Sequence, residues 1–284
     1  MIRTCITLLI FLSTTALAND YSAKVIYGED NRLDMYQVQD PMMISLAHST
    51  VALMRPSDLR EEGAITHIAD SPIGRAYGLC TDEPFYDQNS AAFCSGFLVA
   101  PDTMVTAGHC ISSQSACSNT RFVFGFERGV AGIRATSVPS SNVYTCKTLI
   151  HSVQNSGGED FAVVKLDRPV VNHEPLNLSP ETAVPGTGLT VIGHPSGLPT
   201  KVSGGANVRR VLDQHLVANL DTYGGNSGSA VFNTETGAVE GILVRGERDY
   251  VYENGCRRSN RCADDGCRGE DVTLIKQVKP YLEQ

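Results

Sequence analysis

The chain has 284 residues, with 23 Lys or Arg against 31 Asp or Glu and a formal charge of −8. That balance excludes a nucleic-acid surface, which needs a basic stripe along the phosphate path; the arginine pairs in "VRRV" and "CRRS" read as solvated faces. Roughly 260 residues behind the leader suffice for one large all-β unit or two small barrels.

The opening "MIRTCITLLIFLSTTALAND" reads as a secretory signal over residues 1–18. Arg3 is the positive start, Ile6 to Leu12 the apolar stretch, and "ALA" the small-residue cleavage site. The run is shorter than the ~20 residues that span a bilayer, and Cys5 lies ahead of it, badly placed to carry a lipid. The expectation is a secreted protein, extracellular or periplasmic, with no membrane anchor. Losing Cys5 from nine cysteines leaves eight, an even number in an oxidising compartment, which favours four disulfides. "CRRSNRCADDGC" matches no common zinc spacing and reads as disulfide-forming. No metal and no cofactor are expected.

Further along, short apolar or alternating runs recur between turn residues. "FCSGFLVA" leads through "APDT" into "MVTAGH", and "RFVFGFE", "DFAVVKLD", "LTVIGH" and "QHLVANLD" follow. "GSAVFN" and "AVEGILVRG" flank "TETG" as a hairpin. Many short strands with turns between them indicate a sandwich or barrel. "RPVVNHEPLNLSPETAVPG" is polar and proline-rich and reads as a bridge between two halves, 25–172 and 173–284. A short helix is expected from about Leu274, limited by Pro280.

Three residues in these runs carry chemistry only as a set. His109, closing "MVTAGH", is by itself a packed imidazole. Asp160, opening "DFAVVKL", is by itself a strand-initiating acid, and Glu159 and Asp167 compete with it. Ser227, inside "GGNSGS", is by itself a turn serine. The order His, Asp, Ser, with the serine among glycines, is one of three unrelated chain orders that build a charge-assisted triad.

"TAGHC", "DFAVVKL" and "GGNSGSAVFN…GILVRG" resemble the three blocks of the chymotrypsin-fold (trypsin-like) serine proteases. They are closest to the bacterial glutamyl endopeptidase branch, whose mature start "VIYGEDNR" also resembles. The likeness runs from Val25 to the end, with Asp34 to Cys80 and Asn254 to Arg268 matching poorly. It implies an all-β fold of two packed six-stranded antiparallel barrels, with His109 and Asp160 on the first and Ser227 on the second. It implies a Cys94–Cys110 disulfide beside the site and an oxyanion hole from the backbone N–H groups of Gly225 and Ser227. Protein or peptide substrates, an activating protease and a monomer are further expectations.

"YSAK" ahead of "VIYG" implies a propeptide, 19–24, cut after Lys24 to free the α-amino group of Val25. The residue before the serine is Asn226, where the trypsin branch has an aspartate to pair with that group. Six residues before the serine stands Asp221, where the trypsin branch keeps its pocket carboxylate, so cleavage after Arg or Lys is expected. Leu243 replaces the histidine of glutamate-selective relatives, Gly246 falls where the family keeps the pocket mouth open, and Glu270 or Asp271 would line its back wall. Val244 and Arg245 replace a serine and an aromatic residue that the family uses near Asp160. Three alternatives stay open: a protease-like binding or adhesion module, an esterase, and an endopeptidase of non-basic preference.

Overall fold

The structure, a computed structural model, describes residues 25–282. The expected signal over 1–18 and propeptide over 19–24, Lys24 included, lie outside the described residues.

Strands that are apolar on both faces must bury both. The Asp160–Leu166 strand shows how. Ala162, Val164 and Leu166 fill the interior of one barrel with Leu53, Met104 and Phe122. Phe161 and Val163, one residue out of phase, point the other way and pack on Ile192, Phe232 and Ile242 of a second barrel. Across the interface the same alternation holds: Leu243 fills the second barrel's interior, while Ile242 and Val244 face the first barrel.

The first barrel closes in the order Val143–Gln154, Asp160–Leu166, Thr103–Thr106, Cys94–Ala100, Thr50–Met54 and Arg121–Phe124. The second runs Gly188–Gly193, Ala230–Asn233, Val239–Arg245, Glu270–Leu274, His215–Ala218 and Lys201–Val211, which pairs back with Gly188–Gly193. Two closed six-stranded antiparallel barrels are therefore present, as the sequence implied. The proline-rich stretch crosses between them: Leu176 N–H donates to Leu98 O at 2.9 Å, and Ser179 N–H to Val239 O at 2.9 Å.

The front of the chain departs from the expected division. Arg32–Asp34 pairs antiparallel with Lys201–Ser203, and Ile26–Tyr27 pairs parallel with Arg261–Cys262. Residues 26–34 thus belong with the second barrel, not the first. A buried ion cluster secures this edge, with Asp34 2.8 Å from both Lys201 Nζ and Arg128 Nη1. An uncompensated buried carboxylate would be costly, so the pairing specifies where the segment docks.

Among the described residues eight cysteines pair as Cys80–Cys256, Cys94–Cys110, Cys117–Cys146 and Cys262–Cys267. The first ties together the two segments that match the family poorly. The expected short C-terminal helix takes the form of two 3₁₀ helices, Ile275–Gln277 and Lys279–Tyr281. Pro280 lacks the N–H that a continuing helix needs, and Ile275 and Val278 are held in the core between the barrels instead.

Candidate active site

His109 stands just beyond the Thr103–Thr106 strand and Asp160 opens the strand beside it, so antiparallel pairing brings their side chains together. Asp160 Oδ1 accepts the His109 backbone N–H at 3.0 Å, and Oδ2 lies 2.8 Å from Nδ1. A carboxylate there accepts from Nδ1–H, and in the neutral imidazole that tautomer leaves the lone pair on Nε2. Asp160 is 1% exposed. The competing acids bond elsewhere: Asp167 to Thr145 N–H and Arg168, Glu159 to Asn155.

Ser227 lies on the loop between Ala218 and Ala230. The loop folds tightly, Asn226 N–H donating to Tyr223 O and Ser229 N–H to Asn226 O. Gly225 has φ +89°, and a Cβ there would stand 2.5 Å from His194 O. Only glycine suits that backbone and that approach. The first barrel grips the loop directly. Ser95 N–H donates to Ser227 O at 2.8 Å, and Ser95 Oγ donates to Gly225 O at 2.8 Å. Cys110, bridged to Cys94, sits 3.7 Å from Ser227 O. His109, Gly225 and Ser227 line one cleft of about 610 Å³ between the barrels, with Tyr77, Phe93 and Asp249. Cys94, His109 and Cys110 are close enough to hold a metal, but the two sulfurs are bonded to each other.

The residues expected to read the substrate fall differently. Asp221 does not face the cleft as an open carboxylate: its Oδ1 accepts Tyr27 N–H at 2.7 Å and its Oδ2 accepts Asn31 N–H at 3.0 Å. It anchors the front of the chain, and burial pushes its carboxyl up to about 6. Leu243 is also corrected, since its side chain belongs to the second barrel's core. The carboxylate of Glu270 lies against Gly246, where any Cβ would overlap. Glu270 Oε2 accepts Thr222 Oγ1–H at 2.8 Å, and Oε1 accepts Glu247 N–H at 3.1 Å. That carboxylate spans from the loop of the serine to the strand end opposite. Asp271, its neighbour, faces away and meets Arg245 and Arg268. Val25 is fully buried, its carbonyl accepting Thr222 N–H at 3.2 Å.

His194, closing "LTVIGH", is a buried structural histidine that supports the serine loop from beneath. Its N–H donates to Ser95 Oγ at 2.9 Å and its Nδ1 faces Leu198 O at 2.9 Å. Burial pushes the imidazole down to about 4. A histidine held neutral when folded stabilises the protein above its unfolded value of ~6.5, and that stability is lost as pH falls toward about 4. The loss amounts to roughly 2–3 kcal/mol. Urea unfolding at pH 7 and pH 4 should therefore show a larger acid destabilisation in the wild type than in His194→Leu. Equal acid losses would contradict this account.

A family model described as a trypsin-like peptidase domain matches residues 94–242, just over half of the chain. A glutamyl endopeptidase of Bacillus licheniformis is 31% identical over 153 residues, 51% of this chain and 46% of that one. An extracellular metalloprotease of Bacillus subtilis is 26% identical over 183 residues, 62% of this chain and 58% of that one. The chain thus spans about half the length of the curated relatives it matches. Among solved structures, a Glu endopeptidase superposes with a TM-score of 0.54 at 19% identity, covering 92% of this chain and all of that one. A serine endoprotease from Yersinia pestis gives 0.52 at 16%, covering 87% and 67%. These two likenesses concern the fold.

Proposed function

The chain belongs to the family of trypsin-like peptidase domains, and from that premise we propose that it is a secreted serine endopeptidase working through an acyl-enzyme. The observation that carries the reading is the buried Asp160 holding His109 by both its backbone N–H and its Nδ1, on the wall of the cleft that Ser227 shares. A serine hydroxyl is a weak nucleophile at neutral pH, so His109 Nε2 takes its proton as Oγ attacks the scissile carbonyl. Asp160 keeps the imidazole in the tautomer that can do so and stabilises the imidazolium that results. The carbonyl oxygen becomes an oxyanion facing the backbone N–H groups of Gly225 and Ser227. His109 then protonates the leaving amine, and water repeats the sequence on the ester. Among the described residues no helix is long and apolar enough to cross a membrane.

The substrate residue before the cut is read as Arg or Lys. The supporting observation is the carboxylate of Glu270, fully buried behind Gly246 and held by Thr222 Oγ1–H, Glu247 N–H and Tyr27 O–H. Its charge there favours a cationic substrate side chain over an anionic one, through the field it sets up and not through an open carboxylate. A second reading, preference for Glu, rests on the name of the Bacillus licheniformis relative. Cleavage after Lys24 makes the chain a zymogen, and the buried seat of Val25 beside Thr222 supports that activation step.

One experiment tests both. Peptides differing only before the scissile bond are offered to protein beginning at Val25 and to protein retaining Tyr21–Lys24. The form beginning at Val25 should turn over Lys and Arg peptides about 100-fold better than the Glu peptide, and the longer form should be much slower on all. A Glu preference would select the second reading. Equal activity of the two forms would remove the zymogen.

A further inference from the structure

We propose that Arg245 is the positioning residue for the carboxylate of Asp160, on the reading of His109, Asp160 and Ser227 just given. The place beside that carboxylate which the resemblance assigns to a hydroxyl is held by Val244, an apolar side chain buried in the core between the barrels. Arg245, the last residue of the Val239–Arg245 strand, reaches the carboxylate instead.

Its side chain is 11% exposed and its guanidinium engages groups on three sides. Nη1 stands 3.9 Å from Asp160 Oδ2, the oxygen that also faces His109 Nδ1. Nη2 donates to Gly158 O at 3.0 Å and Nη1 to Asn155 O at 3.4 Å. Those two carbonyls belong to the turn that delivers Asp160 to its strand, a turn closed by Asn155 N–H to Glu159 O at 2.7 Å. Nε lies 3.3 Å from Asp271 Oδ2. Asp271 is itself fixed by Arg268, with Nη1 at 3.2 Å and Nη2 at 3.0 Å, and His215 Nε2 stands 3.9 Å away.

A planar, permanently charged fork held at its Nε can fix the turn and the carboxylate together, which a flexible ammonium cannot. Its charge has a second consequence. A cation near Asp160 favours the carboxylate and opposes a further positive charge on the imidazole beside it. Arg245 therefore acts on orientation, read in kcat, and on the proton held by His109, read in the acid limb of the rate profile. The charged or titratable groups around it are Asp160, Asp271, Arg268, His215 and His109.

The test compares wild type, R245Q and R245K in kcat and KM from about pH 5 to pH 9, on the best peptide, with sulfonyl fluoride labelling of Ser227 alongside. R245Q should lower kcat about 100-fold with KM changed less than about threefold, the cost of a misplaced catalytic group. Its acid limb should move to higher pH, because the opposing charge is gone. R245K should return the limb toward the wild-type position while recovering only part of kcat. A raised KM with unchanged kcat would make Arg245 a wall of the substrate channel and overturn the proposal. So would a fall in kcat that R245K reproduces in full with neither limb displaced. A wild type that neither cuts peptides nor labels at Ser227 would overturn the hydrolytic reading itself, and this inference with it.

Discussion

Replacing Ser227 with alanine is expected to lower kcat by about a million-fold while leaving the fold intact. The side chain removed is small and only 8% exposed. Two backbone bonds hold the loop on either side of that side chain, Ser95 N–H donating to Ser227 O and Gly228 N–H to Leu243 O. Neither needs the hydroxyl, so thermal unfolding of S227A should match the wild type. Peptide binding should persist as well, since the cleft keeps its walls. Adding His109→Ala to S227A should lower the rate little further, because a nucleophile without its base, or a base without its nucleophile, is already idle. Burst kinetics, peptide turnover and sulfonyl fluoride labelling measure this directly. A variant that keeps more than about one per cent of wild-type turnover would exclude Ser227 as the nucleophile.

The second large effect is at Asp160. Asp160→Asn is nearly isosteric, and it should cost about ten-thousand-fold in kcat at neutral pH. The reason lies in the donor count. Asp160 accepts two hydrogen bonds from one residue, the backbone N–H and Nδ1–H of His109. An amide has one accepting oxygen and one donating nitrogen. The backbone N–H has no alternative state, so the oxygen stays with it and the amide NH₂ turns to Nδ1. Nδ1 must then accept, the ring proton moves to Nε2, and the atom facing the serine can no longer take a proton. Sulfonyl fluoride labelling of Ser227 should slow in parallel with peptide turnover, because both use the same base. A loss smaller than about tenfold would place the orienting acid elsewhere.

Much of this site was legible before any coordinates, because its signals are local. The glycines flanking Ser227 mark backbone that other residues cannot adopt, and Gly225 at φ +89° against His194 O is such a case. The run from Asp160 to Leu166 is apolar on both faces because one face fills a barrel and the other meets its partner. The choice of Asp160 over Asp167 and Glu159 rested on the family block and on Asp167 standing at the far end of the strand; in the structure, its neighbour across the antiparallel pairing is His109.

The surroundings of the candidate pocket acids were not legible. Asp221 occupies the expected place in the chain, yet its carboxylate is held by two N–H groups of a segment nearly 200 residues earlier. Glu270 was named beside Asp271 without a choice between them. The choice depends on which of two adjacent side chains points inward, and a single slip of register exchanges them. The N-terminal strand joined the barrel opposite to the one its chain position suggested, because its partner strand begins at Lys201, and Lys201 pairs with Asp34.

The amino-acid sequence by itself determined the strand content and the glycine-shaped loop and singled out His109, Asp160 and Ser227 as candidates, since each is written in neighbouring positions and their intrinsic backbone preferences. Only the tertiary structure decided the pairing of the six cysteines other than Cys94 and Cys110, the seat of Val25, the burial of Asp221 and Glu270 among their donors and the reach of Arg245 to Asp160. Those depend on contacts between distant segments, where a carboxylate's role follows from which donors surround it once the chain has closed.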